Sequence, residues 1–300
     1  MQALVIAVML LTPLARPGLP TSALYPRRSE AIIAGFSPRR LQRRVATLAK
    51  RPLAERLAYW SRVFLETPYG TAPVADNAEP EMGGPLAGQD LNLYQVDCET
   101  YVEQVMALSL ARRWQDVVPI LRRIRYDGGR SDPQQRYFTV VKGWLAGAER
   151  AGLLTDITRR IGGNSTRVIE KSLKPEPIWR PYYLKRLGLL GPRAPKGSAT
   201  ITYIPLSKAM FMVKRIPPGT IVHVVSKPHP RSPYLVTHVG FAARNSYGPV
   251  FRHASQSPHR RKVEDRHFAA YLYYIGHTPA GPEQRAGMGI HLSAVRLPKP

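Results

Sequence analysis

The hydrophobic pattern changes character near residue 199, and that change limits the folds open to the chain. Before it, apolar residues recur at helical spacing. Leu41, Val45, Leu48, Leu53, Leu57, Trp60, Val63 and Phe64 predict helix over residues 38–66, broken at Pro52, which lacks the backbone donor a helix interior needs. Residues 114–126 and 136–151 also read as helical, with Gly152 as the stop of the second. After it, ATITYIPL, GTIVHVVS, YLVTHVGFAAR and PVFRHAS are rich in β-branched and aromatic residues and are bounded by turn residues. They predict the strands of a small antiparallel sheet. Helices first and strands later mean an α+β fold. Residues 67–95 and 172–196 read as irregular excursions.

Other features narrow the class. A chain of 300 residues buries a core without covalent staples. Its one cysteine, Cys98, excludes an intramolecular disulfide and a Cys-rich zinc site. No His/Asp/Glu cluster has metal-ligand spacing and no Gly-rich phosphate loop follows a strand, so neither metal nor cofactor is expected. Residues 3–11 are apolar and Thr21-Ser22-Ala23 follow, which resembles a secretory signal peptide over residues 1–23, although a basic leader is missing. The expectation is export to the periplasm or beyond, with residues 24–300 forming a single domain and no stable membrane span. The net charge of +24 is concentrated in the C-terminal half and draws the protein toward anionic polymers. The arginines are scattered, so no specific nucleic-acid site is expected, and the protein is read as a monomer. The basic stretch Pro258–Lys262 keeps open a non-catalytic module that binds wall polymer or nucleic acid.

The chemistry-bearing residues lie in two places. Asp97 reads as the N-cap of a helix in which Cys98, Val102, Val105, Met106 and Ser109 share the inward face. That puts Cys98 in the first turn, where unpaired N–H groups and the helix dipole favour a thiolate. His238 and His253 fall on the two strands of one predicted hairpin. With a loop of even length they share a face, and a turn at Asn245-Ser246 makes them direct cross-strand partners. Cys98 with His238 beside it is a candidate nucleophile and base, and His253 a candidate to orient the base. A buried inert thiol and a pair of satisfied sheet histidines are the alternatives. Glu103 and His223 read as structural. His229, His259, His267, His277 and His291 have no partner spacing and read as surface or core residues.

The segments VDCETYVE (96–103) and THVGFAARNSYGPVFRHAS (237–255) resemble the nucleophile motif and histidine hairpin of the N-acetylmuramoyl-L-alanine amidase-like family, a branch of the NlpC-type, papain-like cell-wall cysteine hydrolases. FLETPYG (64–70), IRYDGG (124–129), GLLTDITRRIGG (152–163), YIPL (203–206) and IPPGTIVHVVS (216–226) are similar in order and spacing, over a core of about residues 55–275. The resemblance implies a papain-like fold: a nucleophile helix packed on a five- or six-stranded antiparallel sheet, with a helical insertion. It implies Cys98 as nucleophile, His238 as general base and His253 as the orienting residue. The implied substrate is a peptidoglycan fragment, a muropeptide, cut through a thioester at the bond between N-acetylmuramic acid and L-alanine. A γ-D-glutamyl–diaminopimelate endopeptidase of the same superfamily is the alternative. Tyr69 is implied to line the cleft, and Glu99 and Ser255 are further candidates for substrate contact. Glu99, Tyr101 and Glu66 depart from the family pattern, which has Val, Phe and Gly there.

Overall fold

The computed structural model describes residues 33–70, 91–129, 137, 144–172, 197–228, 234–257, 259–277 and 287–297. The proposed signal segment, His229, and most of the stretches 67–95 and 172–196 lie outside the described residues.

Helix α1 (Pro38–Leu48) starts where the Ser37 hydroxyl accepts the Arg40 N–H, and α2 (Leu53–Val63) restarts after Pro52. Helix α3 (Cys98–Leu110) differs from its reading as an amphipathic element: every residue from Thr100 to Leu110 is buried. The reason is that it is covered all round, by α1, α2 and α4 (Val117–Arg125) on one side and by the sheet on the other. Its charged Glu103 is accommodated by Arg125 of α4, at 2.7 Å with both side chains buried. A short α5 (Ala146–Arg150) ends at Gly152, whose φ of 70° allows the helix to stop there.

Among the described residues the strands are β1 (Leu154–Asp156), β2 (Arg167–Ser172), β3 (Ser198–Pro205), β4 (Ile221–Ser226), β5 (Val236–Asn245), β6 (Gly248–Ala254), β7 (Val263–His267) and β8 (Gly287–Val295). They form one eight-stranded antiparallel sheet in the order β2-β3-β8-β4-β5-β6-β7, with β1 paired to β8 off that path. The sheet is thus larger than the five or six strands implied by resemblance. Strand β8 follows the span of that resemblance in sequence yet lies in the middle of the sheet, between β3 and β4.

Side chains alternate across the sheet. Ile221, Val225, Val239 and Phe241 face the α3 layer. Val222, Val224, Ala242, Phe251 and Ile290 face a second layer built from α6 (Thr158–Gly162), α7 (Leu206–Ala209) and α8 (Phe268–His277). Both faces are covered, which explains near-continuous apolar runs such as IVHVV in β4. No described helix is long and apolar enough to cross a membrane.

Candidate active site

A two-residue turn, Ser246-Tyr247, closes β5 onto β6, with Asn245 paired to Gly248. The even loop length holds, so His238 and His253 share a face of the sheet. The register differs from a turn at Asn245-Ser246. One residue of displacement in the turn moves every pairing by two, and continuing the observed Phe241↔Arg252 pair sets His253 opposite Gly240. The imidazoles therefore meet diagonally. His238 Nε2 and His253 Nδ1 are 2.8 Å apart, with the ring planes at 87°. A Cβ on Gly240 would lie 2.8 Å from His253 Cβ and 2.6 Å from the Arg252 carbonyl oxygen, so only glycine leaves room for this approach.

Cys98 occupies the first turn of α3. Asp97 accepts the Thr100 N–H at 2.8 Å and the Thr100 hydroxyl accepts the Asp97 N–H at 2.9 Å, a reciprocal cap that fixes the helix start. The thiol is half-buried. Its sulfur accepts main-chain hydrogen bonds from Glu99 and from Val239, the residue that follows His238 on β5. Those bonds favour the thiolate. Burial opposes it, as do the neighbouring carboxylates of Asp97 and Glu99, and the net effect is a thiol pKa raised well above the ordinary value. Burial also lowers His238 to about 4. Both shifts favour the uncharged forms, a neutral thiol and a neutral imidazole.

A further aromatic residue belongs here. Tyr271 of α8 is buried, with its ring 5.2 Å from that of His253, 6.4 Å from His238 and 4.6 Å from Phe251. Burial pushes its hydroxyl pKa up, and the Cys98 charge adds to the shift. Nothing in FAAYLYYIGH distinguishes Tyr271 from its neighbours Tyr273 and Tyr274, which are exposed.

A cysteine capped at a helix start, sharing one strand's main chain with a histidine pair, is the arrangement against which the comparisons can be set. The profile of the AmiA-like, N-acetylmuramoyl-L-alanine amidase-like family matches residues 59–276. The chain belongs to this family. Among solved structures, a protein from Legionella pneumophila str. Philadelphia 1 is similar over 87% of this chain and 94% of its own, with 21% identity and a TM-score of 0.70. An N-acetylmuramoyl-L-alanine amidase from Bacteroides uniformis is similar over 81% of this chain and 99% of its own, with 19% identity and a TM-score of 0.63. A Bacteroides fragilis protein with a provisional xylanase name is similar over 79% and 100%, at 22% identity and a TM-score of 0.60. At these identities the structures speak to the fold alone. No curated protein sequence matches significantly. Family membership supports a hydrolase with a peptidoglycan amidase-like function.

Elsewhere in this amidase-like chain, the remaining predicted residues fall into two groups. Tyr69 is stitched between the lead-in to Cys98 and the start of β7. It forms a parallel bridge with Val96, donates its N–H to Arg261 O at 2.8 Å, and carries the Arg261 guanidinium 5.5 Å over its ring. Glu99, half-buried, stands beside the thiol. Ser255 is buried, and its hydroxyl accepts the Ser257 N–H at 3.4 Å, closing the turn after β6. Tyr101, where the family pattern has Phe, is fully buried between Phe64 and Phe241 and gives its hydroxyl proton to Ser61 O at 3.0 Å. His223 is fully buried, and its Nε2 lies 3.2 Å from Ser293 Oγ. His291 has partners its spacing did not reveal, bonding Thr158 and Ser293 beside His223 within the interior. His259, His267 and His277 are exposed.

Proposed function

We propose that the chain is an exported cysteine amidohydrolase that cleaves the amide between N-acetylmuramic acid and L-alanine in peptidoglycan fragments. Cys98 is the nucleophile, His238 the general base, and His253 the residue that orients it. The observation that carries this reading is the 2.8 Å His238–His253 bond on the strand whose next residue, Val239, hydrogen-bonds the Cys98 sulfur.

His238 Nδ1, the ring nitrogen not bonded to His253, takes the thiol proton as Sγ attacks the amide carbonyl carbon. The carbonyl electron pair moves onto oxygen. The Cys98 N–H, for which a helix start provides no intrahelical acceptor, donates to that oxyanion. Collapse breaks the C–N bond, and His238 returns its proton to the departing L-alanine nitrogen. A water then loses a proton to His238 and attacks the thioester. The C–S bond breaks, the thiol is regenerated and the muramic acid carboxylate leaves. Tyr69, Glu99 and Ser255 are assigned to the substrate side of the site. The positive charge of the protein suits a substrate bearing peptide carboxylates.

Mass spectrometry of muropeptides incubated with wild type and Cys98→Ala tests the reading. Release of a peptide beginning with L-alanine, abolished by the substitution, is expected. A product beginning with diaminopimelate would keep the nucleophile and replace the specificity. Absence of either product, with polymer affinity that falls steeply with salt, would replace the enzyme by a binding module.

A further inference from the structure

One buried acid beside the histidine pair is not used by the chemistry above. Glu264 pairs with His253 directly across the β6–β7 ladder and is 7% exposed. Its Oε2 accepts from Arg260 at 2.6 Å, and Arg266 lies 3.8 Å from Oε1. Oε1 itself lies 3.9 Å from His253 Nε2, and both atoms are buried without a hydrogen-bond partner. Two buried polar atoms without partners each carry an uncompensated desolvation penalty, and here they face one another. The gap is too narrow for a water between them. An approach of about 1 Å turns it into a charge-assisted hydrogen bond.

We propose that Glu264 is a positioning residue that extends the relay to Cys98–His238–His253–Glu264, holding His253 in its Nε2–H tautomer. This rests on the reading of Cys98 as nucleophile and His238 as its base. With its proton on Nδ1, His253 would aim an Nε2 lone pair at a carboxylate, two acceptors face to face in a buried site. With the proton on Nε2, it donates to Glu264 and its Nδ1 becomes an acceptor. His238 must then donate from Nε2, which leaves His238 Nδ1 to receive the thiol proton. The carboxylate thus selects, two residues away, the only tautomer of His238 that can act as base.

The same carboxylate offsets charge. When His238 becomes an imidazolium, the charged groups around His253 are Arg260 and Arg266, Glu264 and His238 itself, with the Ala254 main chain and the rings of Tyr271 and Phe251 also against it. Without Glu264 the two guanidiniums would face the new positive charge unopposed.

The test compares Glu264→Leu and Glu264→Gln with wild type, by muropeptide hydrolysis and by the pH dependence of Cys98 alkylation with iodoacetamide, which needs no substrate. Glu264→Leu is expected to lower kcat by about tenfold or more with little change in KM. It should slow alkylation at neutral pH, with recovery in alkali where the thiol ionises without the base. Glu264→Gln keeps an acceptor and loses the charge, so it should fall between the two; it also decides the matter should the leucine variant fail to fold. Variants that unfold earlier yet keep wild-type kcat and alkylation profile would mark Glu264 as merely structural and overturn the proposal. Loss of activity in Cys98→Ala alongside such variants would overturn this proposal alone, whereas an active Cys98→Ala would overturn the reading on which it rests.

Discussion

His253 reaches His238 across the space that Gly240 leaves empty. The two imidazoles bond at 2.8 Å although they are diagonal, not opposed, on the hairpin, and a methyl group at position 240 would strike His253 Cβ and the Arg252 carbonyl. Gly240→Ala should therefore push β6 from β5 at the histidine pair, destabilising the fold by about 1–3 kcal/mol and reducing turnover as well. Gly248→Ala is the control. It strains a turn whose φ is 112° but meets nothing within 4 Å, so it should lower stability and leave turnover per folded molecule unchanged. Urea midpoints and initial rates on both variants check this. Equal turnover losses in the two would show that the contact at Gly240 does not position the pair.

The hairpin shows what sequence pattern conveys and what it does not. Parity alone sets both histidines on one face, because the side-chain period of a strand is two. The register depends on which two residues make the turn, and Asn245-Ser246 and Ser246-Tyr247 are not distinguishable by residue type. The cap at Asp97, the break at Pro52 and the stop at Gly152 were legible because each depends on one residue's local conformation. Strand β8 was not. Its partners β3 and β4 are distant in sequence, and its buried His291 and Ser293 interrupt the apolar alternation while satisfying one another inside. Strand β7 hides similarly: Val-Glu-Asp-Arg-His looks like a solvated edge, yet Glu264 is buried and Asp265 pairs with the buried Arg252 at 2.7 Å. Tyr271 enters the site through tertiary packing, which no local spacing records.

Four imidazoles are held neutral in the fold. Burial lowers the pKa of His223, His238, His253 and His291. In the unfolded chain these groups titrate near 6.5. Below that pH the unfolded state binds protons that the folded state refuses, so the stability they confer is complete above about pH 6.5 and is lost as pH falls toward the folded values, about 4 for His238. Each such histidine removes up to about 1.4 kcal/mol per pH unit across that window. The urea midpoint should fall between about pH 7 and pH 5, before most carboxylates titrate. A midpoint constant over that range would contradict the buried, neutral assignment.

Glu66 stands where the family resemblance leads to an expectation of glycine, and its φ of 71° is one that glycine adopts without strain. The left-handed conformation costs a residue with a Cβ about 1–2 kcal/mol. Lys262 Nζ, 2.6 Å from Glu66 Oε2, offsets part of that, though both side chains are 35% exposed and such a pair contributes at most about 1 kcal/mol. Glu66→Gly should thus stay within about 1 kcal/mol of wild type. Glu66→Ala keeps the strain and loses the ion pair, so it should be less stable than the glycine variant by about 1–2 kcal/mol. Thermal unfolding of the two variants decides, and an alanine variant as stable as the glycine one would remove the strain argument.

The pH dependence of hydrolysis follows from the neutral resting pair. In the proposed mechanism the base titrates in the free enzyme, and protonating His238 leaves the thiol with no acceptor. With His238 lowered to about 4, the acid limb of kcat/KM should lie well below the 6.5 of an ordinary imidazole. Because the thiol starts protonated, its proton moves during attack, and kcat/KM should fall in D2O. His253→Ala removes the partner of His238 Nε2 and should lower kcat by about tenfold or more. An acid limb near 6.5 with no solvent isotope effect would point instead to an ion pair formed before substrate arrives, and would mean that substrate-free burial does not describe the working site.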